Sequence, residues 1–268
     1  MAIKVFDNDG EIHNADDLEI FKKLKGNRPV EWPRVKKIMA SIENVGYIPA
    51  PIVVNEKLEI IDGQGRVEAC SVLGLPVPYT VVEGAGLEEC ISMNISGTKW
   101  GKRDYIESYA ERGNENYVRL LELVKKHDVT IGVVIVAALG KLTTAKDEIE
   151  GGTLDLSEER AIQTDELLAY LDRFVPFVKD KKIPNMNKIY EALCFLYYIK
   201  AVDNERMYRA FTMYYADLGG YSTTGQALDA LEVLYNKKLA KHNKVFVASE
   251  YQAYMANRLP WYESRYGR

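Results

Sequence analysis

The pattern of hydrophobic positions changes near residue 100. In the first hundred residues, short apolar runs typical of strands are interleaved with helical patterns, which predicts a small domain that combines helices with a sheet. The predicted elements are a helix near 16–25, a helix over 30–45, strands at 51–54 and 58–61, a helix over 66–73, a strand at 76–82 and a helix over 86–93.

Beyond residue 100 the strand pattern nearly vanishes and helical periodicity dominates. Helices are predicted over 102–112, 114–127, 130–139, 158–174, 187–200, 204–216, 223–240 and 247–258. We therefore predict an α+β fold in which an all-α region follows the α/β domain. The expected domains are an α/β domain over 1–98, a helical unit over 99–150 and a C-terminal helical region over 151–268.

Composition narrows the class of protein. The chain has 268 residues, of which 47% are hydrophobic and 28% charged, as in ordinary globular proteins. No apolar run approaches the roughly 20 residues that a membrane span needs, and the N-terminus shows no signal-peptide pattern. The three cysteines and three histidines are widely scattered, so no disulfide framework or metal site is expected. We expect a cytoplasmic protein without a membrane partner.

Charge is unevenly distributed along the chain. The whole chain carries −4, and the segments 1–98, 99–234 and 235–268 carry −5, −4 and +5. Bulk charge therefore does not indicate a nucleic-acid-binding protein, which usually shows a basic domain or face. The lysines at 237–244 form one basic face that could contact a DNA backbone. The alternative is a solvated face that complements a helix macrodipole.

The stretch 60–69, Ile-Ile-Asp-Gly-Gln-Gly-Arg-Val-Glu-Ala, carries the clearest chemical signal. A strand leads through two glycines into the first turn of a helix, where close backbone approach and free amides favour an anion. Arg66 would add a charge-assisted contact to a phosphate. The alternative is a plain strand–turn–helix in which Asp62 caps the helix and Arg66 is solvated.

With its flanking residues, this stretch resembles the N-terminal domain of the ParB/sulfiredoxin superfamily over about 20–96. The residues that carry the resemblance are Asn27-Arg28-Pro29, Ser41-Ile42, the run from Gly46 to Val54, the loop from Ile61 to Ala69, and Leu73-Gly74. The resemblance implies a nucleotide-binding domain that takes CTP or ATP, with or without Mg²⁺, and a bacterial, phage or mobile-element origin. It places around the nucleotide the residues Arg28, Gly46, Tyr47, Gly63, Gln64, Gly65, Arg66 and Asn94.

Two positions depart from the pattern of that superfamily. Gly65 stands where a basic or imidazole side chain is usual, and Met93 stands where relatives carry a glutamate linked to metal and triphosphate handling. Nucleotide binding is therefore a stronger expectation than hydrolysis. Sulfiredoxin activity is not expected, because the loop 63–65 contains no cysteine.

The sequence leaves three functions open. The first is a nucleotide-binding switch or DNA-associated protein. The second is an enzyme, a small-molecule kinase or NTPase, with Glu31 or Asp62 as catalytic base. The ordinary local roles of these two carboxylates are to complement a helix dipole and to cap a helix. The third is a scaffold that has lost nucleotide binding.

The helices within 116–146 resemble the helix-turn-helix region that follows this domain in the superfamily. Residues 133–139 are almost wholly apolar and must be buried, so only Lys141, Thr143, Thr144 and Lys146 could face DNA. A degenerate unit used for packing or for a homodimer is the alternative to a working DNA-binding unit.

Overall fold

A computed structural model describes residues 6–7, 10–93, 100–142, 145–181, 183–257 and 260–261. The chain divides into two compact units, Met1–Asn114 and Glu115–Arg268. The mixed architecture expected from the sequence, a small sheet domain followed by an all-helical region, is confirmed. The domain boundary predicted between 98 and 99 lies outside the described residues.

The first unit is built on a mixed sheet with strand order β1-β5-β3-β4-β2 in the described part of the chain. The pairs β1–β5 and β3–β4 are antiparallel, and the pairs β5–β3 and β4–β2 are parallel. Its elements are β1 His13–Ala15, β2 Lys22–Lys23, α1 Trp32–Val45, β3 Ile52–Val54, β4 Glu59–Asp62, α2 Gln64–Leu73, β5 Val77–Val81, α3 Leu87–Met93 and α4 Lys102–Glu111.

The helix predicted near 16–25 is wrong. Asp17 caps a single 3-10 turn, Leu18–Ile20, and the chain then enters β2, which pairs with β4. The apolar spacing that suggested a helix instead places Leu24 in a buried cluster with Ile61. The strand β1 was not predicted, because its short polar run acquires strand geometry only by pairing with β5.

Alternate residues of β4 enter two different cores. Ile60 packs with Val67 and Cys70 of α2, whereas the next residue, Ile61, packs with Cys90 of α3. Successive side chains of a strand point to opposite faces, so both faces of the sheet are covered at this strand. The end of β4, from which the site described below begins, is therefore fixed from both sides.

The second unit consists of helices and connecting loops, with no strand among its described residues. Its helices are α5 Glu115–Lys126, α6 Ile131–Leu139, α7 Lys146–Gly151, α8 Glu158–Asp172, α9 Val175–Lys181, α10 Asn187–Tyr197, α11 Asn204–Tyr214, α12 Thr224–Tyr235 and α13 Ala248–Asn257. The sequence did not predict α7 or α9, which have six and seven residues and are too short for a helical period to be read. None of the helices described is both long enough and apolar enough to cross a lipid bilayer.

Helix α6 lies at the centre of this unit. All seven residues from Val133 to Leu139 are buried, as the sequence predicts, and α5, α8 and α10 pack around them. Arg160 of α8 is itself buried and donates hydrogen bonds to the carbonyl oxygens of Ala137 and Ala138, at 2.8 and 3.2 Å. These contacts satisfy acceptors that the end of a helix leaves without an intrahelical partner.

A candidate phosphate-binding site

The loop between β4 and α2 requires glycine at position 63. Gly63 has φ 103° and ψ 11°, and a Cβ atom there would lie 2.4 Å from Cγ2 of Ile52. Its carbonyl oxygen accepts from the amides of Arg66 and Val67, at 2.8 and 3.1 Å. The earlier amides of a first helical turn have no intrahelical acceptor and can bind an anion.

A second helix begins at the same place. Glu31 is the N-cap residue of α1, and its carbonyl oxygen accepts from the amides of Arg34 and Val35, at 2.9 and 3.1 Å. Helices α1 and α2 pack against each other, and their first turns open onto one pocket. Charged and amide side chains line this pocket: Arg28, Glu31, Arg34, Asp62, Gln64 and Arg66.

The pocket is small. Its cavity volume is about 120 Å³, whereas pockets that enclose a drug-sized ligand measure roughly 300–1,000 Å³. It therefore suits a phosphate-sized group and leaves the rest of a larger ligand outside. We call it the phosphate pocket.

Gln64 braces the wall of the phosphate pocket. Its Nε2 donates to the carbonyl oxygen of Arg28 at 3.0 Å, and its Oε1 accepts from Nδ2 of Asn27 at 3.3 Å. The side-chain amide thus ties the first turn of α2 to the segment that carries Arg28. Gln64 positions the pocket, and its own polar groups face this segment.

Arg66 has partners within the protein. Its Nη2 forms an ion pair with Oδ2 of Asp62 at 2.8 Å, and its Nη1 donates to the carbonyl oxygens of Ala50 and Pro51, at 3.2 and 3.1 Å. Both alternatives named for these residues are wrong, because Asp62 does not cap α2 and Arg66 is not simply solvated. A phosphate that contacts Arg66 would have to share its guanidinium with Asp62.

Arg28 lines the pocket and is buried, with 6% of its surface exposed. Its guanidinium and the Asp62 carboxylate both act on the thiol of Cys90. The pKa of Cys90 is raised to about 11, mainly by burial; the Asp62 carboxylate adds to this shift and the Arg28 guanidinium opposes it. Arg28 and Asp62, which carry opposite charges, both line the phosphate pocket.

Arg34 is a pocket residue that was not predicted from the sequence. This exposed side chain stands in the first turn of α1 and lines the phosphate pocket. A cation there opposes the helix macrodipole, which favours negative charge at an N-terminus. A basic residue two positions after Trp32, in a first turn that contains no acidic residue, was the signal that could have identified it.

The two candidate catalytic carboxylates, Glu31 and Asp62, both line the phosphate pocket. Asp62 is occupied by its ion pair with Arg66. Glu31 is exposed, and its side chain makes no capping hydrogen bond to α1. Of the two carboxylates, Glu31 is the one that can meet a ligand without breaking an ion pair.

Three other predicted ligand residues lie elsewhere or outside the described residues. Gly46 ends α1, which has 14 residues and so spans about 21 Å from the pocket end. The hydroxyl of Tyr47 donates to the carbonyl oxygen of Pro76 at 2.6 Å, and burial, with a smaller effect of Cys70, raises its pKa to about 12. Neither residue lines the phosphate pocket. Asn94 lies outside the described residues.

Gly65 lies on the pocket wall with a negative φ, and a Cβ atom there would be 3.4 Å from Cδ1 of Ile38. The position can therefore accept a side chain. Its glycine is not imposed by the backbone, in contrast to Gly63.

The region 116–146 offers little surface for a DNA groove. Helix α6 is buried over 133–139, and α7 carries one lysine against three acidic residues. Lys141 lies 3.9 Å from the carboxylate of Glu148, and residues 143–144 lie outside the described residues. The helix-turn-helix assignment remains a prediction, and the burial of α6 favours its packing alternative.

Comparisons with known proteins identify a similar solved structure and no matching family. No protein-family model matches the chain, and no curated protein matches it. Among solved structures, the chain is similar to a Pnob8-like ParB-N domain, with 14% sequence identity over 95% of this chain and 98% of that one, at a TM-score of 0.26. At this level of similarity, any functional conclusion rests on the residues of the site.

Proposed function

We propose that the chain binds a nucleoside triphosphate by its phosphates in the phosphate pocket and acts as a nucleotide-dependent switch. The observation that carries this proposal is that two helix N-termini and three arginines, Arg28, Arg34 and Arg66, line one small pocket. Proteins in general bind phosphate groups with the amides of helix N-termini and with arginine side chains.

The ligand class follows from size, charge and resemblance. The pocket holds a phosphate-sized group, so sugar and base would extend beyond it. The resemblance to the ParB/sulfiredoxin superfamily favours CTP or ATP. Mg²⁺ in such sites is held by one or two carboxylates together with the phosphates. The exposed carboxylate of Glu31 fits that role.

An enzyme is the second candidate, because Glu31 also stands where a general base could act. We expect binding without turnover. Asp62 is ion-paired, and Met93 occupies the position of the glutamate that relatives carry. Release of inorganic phosphate from ATP or CTP in the presence of Mg²⁺, lost in Glu31→Gln, would favour the enzyme over the switch.

Thermal unfolding with CTP, ATP, GTP and UTP, with and without Mg²⁺, tests the proposal. A ligand at 100 times its dissociation constant adds about 2.7 kcal/mol, which is several degrees in melting temperature. Arg34→Gln should weaken binding at least about tenfold, which reduces this stabilisation to about 1.4 kcal/mol or less. Lys37→Gln is the matched control, since Lys37 is an exposed cation of the same helix that does not line the pocket.

The outcomes separate the proposals cleanly. A shift that is unchanged in Lys37→Gln and falls to about half or less in Arg34→Gln supports the pocket, and nucleotide-dependent dimerisation by sedimentation velocity supports the switch. If no nucleotide changes the melting temperature, the proposal is wrong and the scaffold interpretation takes its place.

A further inference from the structure

The segment 236–247, which we call the basic loop, is held closed at its ends. The side chain of Asn236 donates to the carbonyl oxygen of Val245 at 2.7 Å and accepts from the Val245 amide at 2.9 Å. The amide of Val247 donates to Glu232 of α12 at 2.7 Å. A 3-10 turn, Lys241–Asn243, shapes the middle of the loop.

The basic loop concentrates cations without counter-charges of its own. It contains Lys237, Lys238, Lys241, His242 and Lys244, and no acidic residue. Lys237 is paired with Asp217 and lies over the ring of Tyr214, with Nζ 4.5 Å from the ring centroid. Lys238, Lys241 and Lys244 are exposed, and within the described ranges no carboxylate forms an ion pair with them.

The helix macrodipole does not explain these lysines. Helix α12 ends at Tyr235 and has no basic residue in its last turn, so the cations lie beyond it. Macrodipole effects are confined to the last turn. Confining the three ammonium groups of Lys238, Lys241 and Lys244 to one closed loop costs repulsion, which a polyanion would offset.

We propose that the basic loop binds the phosphodiester backbone of double-stranded DNA without reading its sequence. Lysine is a compact point charge that suits phosphate contacts, and the loop carries no arginine for bidentate recognition of a base. Single-strand binding uses successive aromatic platforms, whereas the exposed aromatic side chains among the described residues of the loop, His242 and Phe246, are four positions apart. This proposal is independent of the phosphate pocket.

Fluorescence anisotropy of the full chain with two unrelated labelled duplexes, without nucleotide, tests it. If Lys238, Lys241 and Lys244 each neutralise one phosphate, log K against log salt has a slope of about −2.7, or about 40-fold weaker binding at 200 mM than at 50 mM salt. In Lys241→Gln/Lys244→Gln the slope should fall to about −0.9, or about threefold. Both duplexes should behave alike.

The matched control is Lys125→Gln/Lys200→Gln, which removes the same charge from exposed lysines of the same unit. It should keep the slope of the unaltered chain, and circular dichroism should show both double variants folded. No duplex binding at 50 mM salt, or an equal loss in the two double variants, would overturn the proposal. So would binding confined to single strands or to phosphatidylserine vesicles.

Discussion

The loop conformation at Gly63 depends on the absence of a Cβ atom, because a Cβ atom would overlap the side chain of Ile52. We expect Gly63→Ala to lower the free energy of unfolding by about 2–4 kcal/mol, from left-handed strain of about 1–2 kcal/mol and the overlap with Ile52. Gly74→Ala is the control, because Gly74 also has a positive φ but a Cβ there meets nothing within 4 Å. Urea unfolding measures both. Equal losses would show that the overlap is relieved without cost.

At position 65, a substitution is expected to strengthen nucleotide binding. Gly65→Arg should tighten triphosphate binding about tenfold or more, since hydrogen bonds to charged groups contribute about 1.5–3 kcal/mol. Gly65→Ala separates this effect from that of the backbone. Isothermal titration gives both affinities. Unchanged or weaker binding in Gly65→Arg would mean that position 65 does not face the ligand.

At the residue scale, features set by the local backbone could be predicted from the sequence. Contacts between segments that are distant in sequence could not. The glycine-rich turn could be predicted from residues 60–69, because a predicted strand is followed there by a predicted helix. The partners of Arg66 were not, because the carbonyl oxygens of Ala50 and Pro51 reach it only in the folded sheet. The packing of the half-buried Tyr47 against the core likewise depends on tertiary structure.

Between helices α5 and α8, a buried histidine joins two carboxylates. His127 contacts Asp172 through Nδ1 at 2.7 Å and Asp165 through Nε2 at 2.8 Å, and Lys126 also donates to Asp165 at 2.7 Å. The hydrogen bond from Lys126 is the main cause that holds the pKa of Asp165 below its usual value of 3.8, with His127 adding to it.

This lowered pKa predicts how stability changes in acid. The unfolded chain binds a proton at Asp165 before the folded chain does, so the contribution is full at neutral pH and is lost as pH falls below about 4. Urea unfolding of Asp165→Asn between pH 7 and 3 should therefore show a shallower acid decline than the unaltered chain. Asp229→Asn, at an exposed carboxylate of α12, is the control. A decline as steep as that of the unaltered chain would contradict the prediction.

Helices were predictable from sequence in proportion to their length and apolar content. The burial of α6 followed from its composition, whereas α7 and α9 were too short to show a period. Helix α12 was predicted to run to 240 and ends at Tyr235, because Asn236 turns its side chain to Val245 and closes the basic loop. That contact spans nine residues and leaves no local signal.

At the scale of the whole molecule, each unit has its own core. The helical unit is organised around α6 and the buried Arg160. We expect the fragment 115–268 to fold alone and to unfold in one cooperative urea transition. Arg160→Met in this fragment should remove about 3 kcal/mol or more, because it leaves buried carbonyl groups without donors. A fragment with no cooperative transition would contradict the independence of this unit.

Charge segregation is the whole-molecule feature that the sequence displayed most directly. The excess of basic residues after 235 was evident from counting, but the closed loop that presents some of them was not. The phosphate pocket shows the converse case. Its cations, Arg28, Arg34 and Arg66, are spread over 39 positions and come together through the packing of α1 on α2 and the hydrogen bond from Gln64 to Arg28.

Isothermal titration that compares adenosine and cytidine with their triphosphates and with inorganic tripolyphosphate, all with Mg²⁺, tests phosphate recognition most directly. We predict that at least one triphosphate binds, that tripolyphosphate competes with it, and that the nucleosides bind far more weakly. Arg34→Gln should weaken the triphosphate at least about tenfold, with Lys37→Gln unchanged. Nucleosides that bind as tightly as triphosphates, or no binding by any of these compounds, would contradict the account.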